Sequence, residues 1–326
     1  MTRQAAYSHR GFERMGTRID LWVGGVPTAR AESALAEGER FIGEFDDTLS
    51  RFKPTSELSR LNADARETVK SSHLLVRLVE AALWAARASN GLIDPTVTPA
   101  LRDIGYTESK AGDTPASLVT AVGRLKQTKS AEANPRSRWR EIQVDRVGRT
   151  ISRPPGVEID SGGSGKGLAA DLLAERWSIK LGRRARFIID CGGDIRVGGD
   201  GPPIKVTIDP PTGDLGSPTG KIEIAEGAIA TSGIGQRIWR RKDGEFVHHL
   251  IDPASGESAW TGLAGVTQLA PTTLVAETMA KTAFLSGPDI GRRIVANNGG
   301  VLFHLDGSIE RVDGAVEAPD ALRVAA

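Results

Sequence analysis

Residues 159–171 read IDSGGSGKGLAAD: a carboxylate, a glycine-rich turn, a lysine and the start of an apolar helical period. Residues 157–160 alternate and are expected as a strand. Leu168, Leu172 and Leu173 then share one helical face, which Gly182 stops. A strand, a glycine turn and a helix N-terminus offer amide groups and the positive end of a dipole to an anion. Lys166 adds a mobile cation suited to a phosphate. A P-loop would need Gly in place of Asp160 and Ser or Thr in place of Gly167. A dinucleotide fingerprint would need its last Gly at Leu168. The residues alone leave two readings open: a phosphate site, or a tight turn whose glycines let helix and strand pack closely.

His249 stands in His-Leu-Ile-Asp-Pro, which on the residues alone reads as an Asp-Pro turn capped by a buried histidine. The other histidines, His9, His73, His248 and His304, show no metal-pair spacing on a helix. The single cysteine, Cys191, sits in an apolar strand pattern and reads as a small buried hydrophobe, not a nucleophile.

These residues need elements to hold them. Helices are expected at 29–49, 71–90, 168–181, 272–285 and 289–297, each with apolar residues at helical spacing. Strands are expected at 18–25, 185–199 with a break at Gly192-Gly193-Asp194, 204–208, 221–224, 228–233 and 263–269. Hairpins are expected at 141–152, around Asp243-Gly244 and around Asp306-Gly307. Residues 107–140 read as a helix plus a surface connector, and residues 1–14 as a loose, disordered segment. Helices and strands mix without a βαβ cadence, which favours an α+β (mixed α/β) fold over a doubly wound sheet. The organisation expected is one domain over 15–326.

The 326 residues suffice for a large core, and Lys+Arg 42 against Asp+Glu 41 gives a net charge of +1. That balance leaves no electrostatic footprint for nucleic acid. No stretch approaches the ~18 apolar residues of a membrane helix, and residues 1–16 lack an apolar core of signal-peptide length. The expectation is a cytoplasmic protein.

The shaped polar loops fall in a telling order. They are Met15-Gly16-Thr17, SRFKPTSELSRLN (50–62), GLIDPTVTPAL (91–101), the glycine-rich stretch, DCGGDI (190–195), ATSG (230–233), HLIDPASG (249–256) and AETMAKTA (276–283). Over nearly the whole chain this series resembles the FAD:protein FMN transferase family (the ApbE type). The resemblance implies a two-lobed fold with an FAD cleft between the lobes. It also implies Mg2+-dependent breakage of the pyrophosphate, with FMN passed to a Thr or Ser hydroxyl of a target protein and AMP released.

Carried over by position, the resemblance assigns FAD contacts to Met15, Phe52, Leu92, Ile93, Asp94, Gly162, Lys166, Leu168, Thr231, Ser232, Gly233 and Ile251. Thr231-Ser232-Gly233 are expected as a turn beside the isoalloxazine, and Phe52 as an aromatic packed on the ligand. His249 and Asp252 become the catalytic pair, with Asp252 either orienting the histidine or shaping the turn. The metal would take the carbonyl of Gly165 and the carboxylate of Glu277. Here the chain departs from the pattern. The family's Thr, four residues after the carboxylate, is Lys281, and an ammonium has donors but no acceptor. The lysine could coexist with a metal, replace it as a phosphate clamp, or mark a protein that binds flavin without transferring it. An FAD pyrophosphatase without acceptor flavinylation is a further alternative. A scaffold would have no need of so many tight polar turns.

Overall fold

The computed structural model describes residues 7–211, 220–314 and 322–324. β1 (Ser8–Arg14) and β2 (Thr17–Gly24) form a hairpin, with Ser8 opposite Val23 and Arg14 opposite Thr17. Met15 and Gly16 make the turn, both at positive φ, 55° and 67°. A two-residue turn of that hand matches the twist of its strands, but it holds Met15 in a region side chains rarely adopt. The expectation of a loose segment over 1–14 therefore fails from Ser8 onward; residues 1–6 lie outside the described residues. β1 lies at the sheet edge and shows no apolar alternation to read. It is held by its ladder and by polar contacts instead. His9 stacks on Trp22 and bonds Asp20 at 2.8 Å, and Arg10 donates to Glu39 at 3.0 Å.

The chain continues through α1 (Thr28–Leu49), α2 (Glu57–Ala63), β3 (Thr68–Lys70), α3 (His73–Ala88), α4 (Thr98–Asp103), α5 (Leu118–Val122), β4 (Gln143–Asp145) and β5 (Thr150–Ser152). Then come α6 (Gly165–Leu181), β6 (Arg186–Cys191), β7 (Ile195–Gly198), β8 (Ile204–Ile208), β9 (Gly220–Ile224), β10 (Gly227–Gly233), β11 (Ile238–Arg240) and β12 (Phe246–His248). β13 (Leu263–Ala270), α7 (Thr273–Ser286), α8 (Pro288–Val295), β14 (Gly300–His304), β15 (Ile309–Val312) and β16 (Leu322–Val324) complete it. The main sheet runs β1-β2-β6-β7-β10-β13-β14-β15, and its pairings are antiparallel. That is the α+β architecture expected from the sequence. Among the described residues no helix is long and apolar enough to cross a membrane.

Two hydrophobic cores flank the site. The first joins α1, α3 and α6 to β2 and β6 through Phe41, Ile42, Leu78, Leu173, Trp177, Leu21 and Phe187. The second joins α7 and α8 to β10, β13 and β14 through Phe284, Val295, Ile229, Val266 and Phe303. Cys191 is fully buried in the first core, and burial raises its thiol pKa well above the usual value, as an inert apolar filler requires.

One expectation fails. Residues 157–160 pair with no strand: side chain and loop complete their bonds, as Asn62 bonds both ways to Ile159 and Pro95 O accepts from Asp160 N. Local alternation reports a segment's pattern, not its partner. Residues 107–140 do hold a helix within a connector, the five-residue α5, and a 3-10 turn follows at Arg138–Glu141.

α6 and α7 approach closely at Gly167. A Cβ there would lie 2.8 Å from both the Leu274 Cα and a Glu277 oxygen. Gly167→Ala is expected to destabilise the fold by about 1–3 kcal/mol, read as a lower thermal midpoint, because backbone cannot yield as a side-chain tip can. An unchanged midpoint would show that α7 moves freely.

Candidate active site

A cavity of about 440 Å³ opens between the two cores, within the usual range for small-molecule sites. One wall comes from the β1–β2 turn, the end of α1 and the loop behind it, through Met15, Phe45, Arg51 and Phe52. A second comes from Leu92, Ile93, Asp94 and Tyr106. The glycine-rich loop, from Asp160 to Lys166, forms the floor. Arg237, His249 and Ile251 approach from the region around β11 and β12, and Lys281 from α7.

The floor works differently from the free-amide cradle expected. Its N–H groups are largely committed. Gly162 donates to Asp160 Oδ2 at 2.8 Å, Gly165 to Ser161 O at 2.8 Å, and Gly167 to Glu277 Oε2 at 2.9 Å. Positive charge comes from side chains instead. Lys166 is not mobile: its Nζ lies 2.7 Å from Asp194 Oδ2, a buried carboxylate. Burial opposes the Lys166 charge, but Asp194 and then Glu277 outweigh it and hold the ammonium above the ordinary lysine pKa. Among the described residues, no carboxylate stands within ion-pair distance of Arg237.

Arg51 organises the aromatic wall. Its Nε lies 2.9 Å from Asp160 Oδ1, its Nη1 donates to Tyr106 O at 3.1 Å, and its guanidinium carbon sits 4.1 Å from the Phe52 ring centre and 4.6 Å from that of Tyr106. The two rings meet edge to face at 5.4 Å. Arg51 thus occupies one side of Phe52, so a planar ligand has only the remaining ring surface to meet.

His249 is half-buried, and its ring stands 6.4 Å from Tyr106. Its Nδ1 is buried without a partner. Burial, then the charges of Arg237, His248, Lys281 and Lys166, push its pKa well below the usual value. The imidazole is therefore neutral at pH 7 and able to accept a proton. Its neighbour His248 is fully buried, edge-on to Trp260 and Phe284, with its Nδ1 accepting from Leu250 N at 3.3 Å.

The structure gathers Met15, Phe52, Leu92, Ile93, Asp94, Gly162, Gly165, Lys166, His249 and Ile251 around the cavity, as expected of a shared site. It corrects the others. Leu168 packs in the first core, one turn into α6, because that helix starts at Gly165 rather than Leu168. Thr231, Ser232 and Gly233 form no turn: all three lie within β10, paired with Thr267, Val266 and Gly265, and none lines the cavity. Asp252 does not orient His249. Its carboxylate accepts from Glu132 N, Ala254 N and Ser255 Oγ, which is the turn-shaping role. Asp94 likewise spends its oxygens on Thr96 and Ser137, and Ile93 N on Ser89 Oγ. Arg51, Tyr106, Asp194 and Arg237 escaped sequence reasoning. Their nearest signals were adjacency to Phe52 for Arg51 and the Gly-Gly-Asp break for Asp194.

The expected metal position fails on its donors. Glu277 is buried, and its two oxygens accept from Gly167 N and from Lys281 Nζ, the latter at 2.6 Å. Lys281 Nζ also donates to the carbonyl of Gly163, at 3.2 Å. Burial raises the Glu277 pKa against the pull of Lys281. Among the described residues, no group of three or more His, Cys, Asp or Glu is placed to hold a metal ion. The Lys281 ammonium, bonded to both Glu277 and the Gly163 carbonyl, thus stands beside the carboxylate that the expectation gave to a metal ion.

The fold matches those of solved ApbE proteins. An ApbE protein from Thermotoga maritima superimposes with a TM-score of 0.76 at 24% identity, over 94% of this chain and 97% of that one. The flavin transferase ApbE from Vibrio cholerae does so at 0.72 and 22% identity, over 95% and 98%. A Klebsiella pneumoniae protein named FAD:protein FMN transferase is 29% identical over 293 residues, covering 87% of this chain and 80% of its own. The chain belongs to the ApbE family, whose family model matches residues 15–303.

Proposed function

We propose that this chain is an FAD:protein FMN transferase acting on a Thr or Ser hydroxyl of a partner protein. One observation carries the reading: a neutral, half-buried histidine shares a cleft with Lys166, Arg237 and Lys281. Phosphoryl transfer needs little more than positioning, a proton acceptor and positive charge near the phosphates. The relatives' names supply the substrate class.

The residues divide the work. Phe52 and Tyr106 offer ring surface to a planar ring system. Lys166, Lys281 and Arg237 face the pyrophosphate. The His249 imidazole takes the proton of the acceptor hydroxyl as that hydroxyl's oxygen bonds to the FMN phosphorus. The bond from that phosphorus to the bridging oxygen breaks, its electron pair stays on the oxygen, and AMP leaves. Mg2+ belongs to the expectation that the resemblance brought; the donors at Glu277 and Lys281 do not fit it, and no step is routed through it.

The test is mass spectrometry of the purified chain incubated with FAD and a protein domain bearing an acceptor threonine. The expected products are AMP and an acceptor heavier by one FMN. FAD recovered intact would overturn the reading in favour of a flavin-binding protein. Free FMN with AMP and an unlabelled acceptor would overturn it in favour of a pyrophosphatase.

A further inference from the structure

We propose that this chain carries its own cation where its reaction would otherwise call for a divalent metal: the Lys281 ammonium occupies that position and excludes the ion. The inference rests on the transferase reading for its chemistry, but its geometry stands alone.

Glu277 and Lys281 lie four residues apart on α7, and both are buried in the packed interior. An i,i+4 pair at a helix surface is common and contributes little. Here the pair is taken out of water, which is unfavourable unless each charge is fully matched. The matching is present. Lys281 Nζ bonds Glu277 Oε1 at 2.6 Å and Gly163 O at 3.2 Å. An ammonium has three donors, so one remains for a ligand, and Lys281 lines the cavity. A carboxylate, a loop carbonyl and a ligand oxygen around one positive centre is the arrangement a hard cation would take. A metal ion placed among the same oxygens would sit against the ammonium and would find both Glu277 oxygens already hydrogen-bonded. Lys166 with Asp194, next to this pair, adds a second fixed cation to the same floor.

The arrangement also accounts for the buried lysine. A compact ammonium on a flexible stem is a good point charge for phosphate. Fixed by two acceptors, it is organised before the substrate arrives, and it cannot be removed by a chelator.

The experiment is a Mn2+ titration of the full-length chain followed by electron paramagnetic resonance, with and without FAD, and with FAD alone as the control. The expected result is no protein-bound Mn2+ beyond the control. Stoichiometric Mn2+ bound by the unaltered chain overturns the proposal. Lys281→Thr, which removes the ammonium and supplies a hydroxyl acceptor, is expected to bind one Mn2+; Lys281→Arg, which keeps the charge, is expected to bind none. A folded Lys281→Thr chain that takes up no Mn2+ overturns the claim that the lysine fills a metal position. Turnover in EDTA separates this proposal from the function it rests on. FMN-labelled acceptor formed equally with EDTA and with Mg2+ supports both, whereas labelled acceptor formed only with Mg2+ overturns the inference and leaves the transferase reading intact. With no labelled acceptor in either, the transferase reading fails, and the Mn2+ signal still decides what Lys281 does.

Discussion

His249→Ala should lower turnover by about a hundredfold to ten-thousandfold while FAD binding stays nearly unchanged. The reason is placement. The Nδ1 atom has no protein partner to lose, so truncation disturbs little of the fold. What disappears is the proton acceptor. The measurement pairs initial rates of AMP release with FAD affinity from flavin fluorescence. If affinity and rate collapse together, His249 is part of the scaffold and the acid–base role is wrong. The pH profile gives a second check. With its pKa pushed well below the ordinary histidine value by burial and by neighbouring cations, His249 stays neutral through mildly acidic pH. The rate should therefore show no ascending limb near pH ~6.5, where an ordinary histidine would impose one. A limb at that pH would mean the imidazole is solvated and free of the cations.

The adjacent residue carries the largest expected effect on stability. Burial pushes His248 down to about 3, and its ring is packed between Trp260 and Phe284. The sign follows from linkage. The unfolded histidine, with its pKa near 6.5, takes up a proton before the folded one does. Stability is thus fully present above pH ~6.5 and is lost as pH falls toward 3, by on the order of 5 kcal/mol in total. Asp190 works in the opposite direction. Burial, more than any neighbour, raises it to about 6, so it favours the folded state as pH falls below that value. Its contribution softens the loss but is smaller. Urea unfolding at neutral and at mildly acidic pH should show this fall, and His248→Leu should flatten it. The slope with pH is the readout, because removing the imidazole also strips Leu250 N of its acceptor and lowers stability at every pH. An unflattened slope would assign acid sensitivity to other groups.

These neighbouring histidines show what a linear pattern can tell. The family resemblance singles out His249 for chemistry, and the cleft holds it; nothing in His-His-Leu-Ile-Asp-Pro shows that His248 is enclosed by aromatic rings from distant segments. Asp252 was the harder case. An Asp before Pro serves equally as a turn cap or as a histidine's partner, and only its bonds to Glu132, Ala254 and Ser255 distinguish them. Thr231-Ser232-Gly233 looked like a turn because Gly and Ser are turn residues. The ladder to β13 absorbed them as strand, since tertiary pairing overrides weak local preference.

What the amino-acid order determined by itself is the kind of each long element and the succession of polar loops between them. The helical period of α1, α3 and α7, and the strand break at Gly192-Gly193, follow from side-chain spacing and backbone freedom, which are local. The order of loops placed the family and most of the cavity's lining. Tertiary structure decided the electrostatics. The i,i+4 spacing made Glu277 and Lys281 neighbours, but whether their pair was a solvated surface contact or a buried cation site depended on α6 packing against α7. That packing brings the Gly163 carbonyl to the ammonium and the Gly167 amide to the carboxylate, across more than a hundred residues of chain. Charge is written residue by residue in a sequence, whereas its burial, its partners and hence its use are properties of the folded interior.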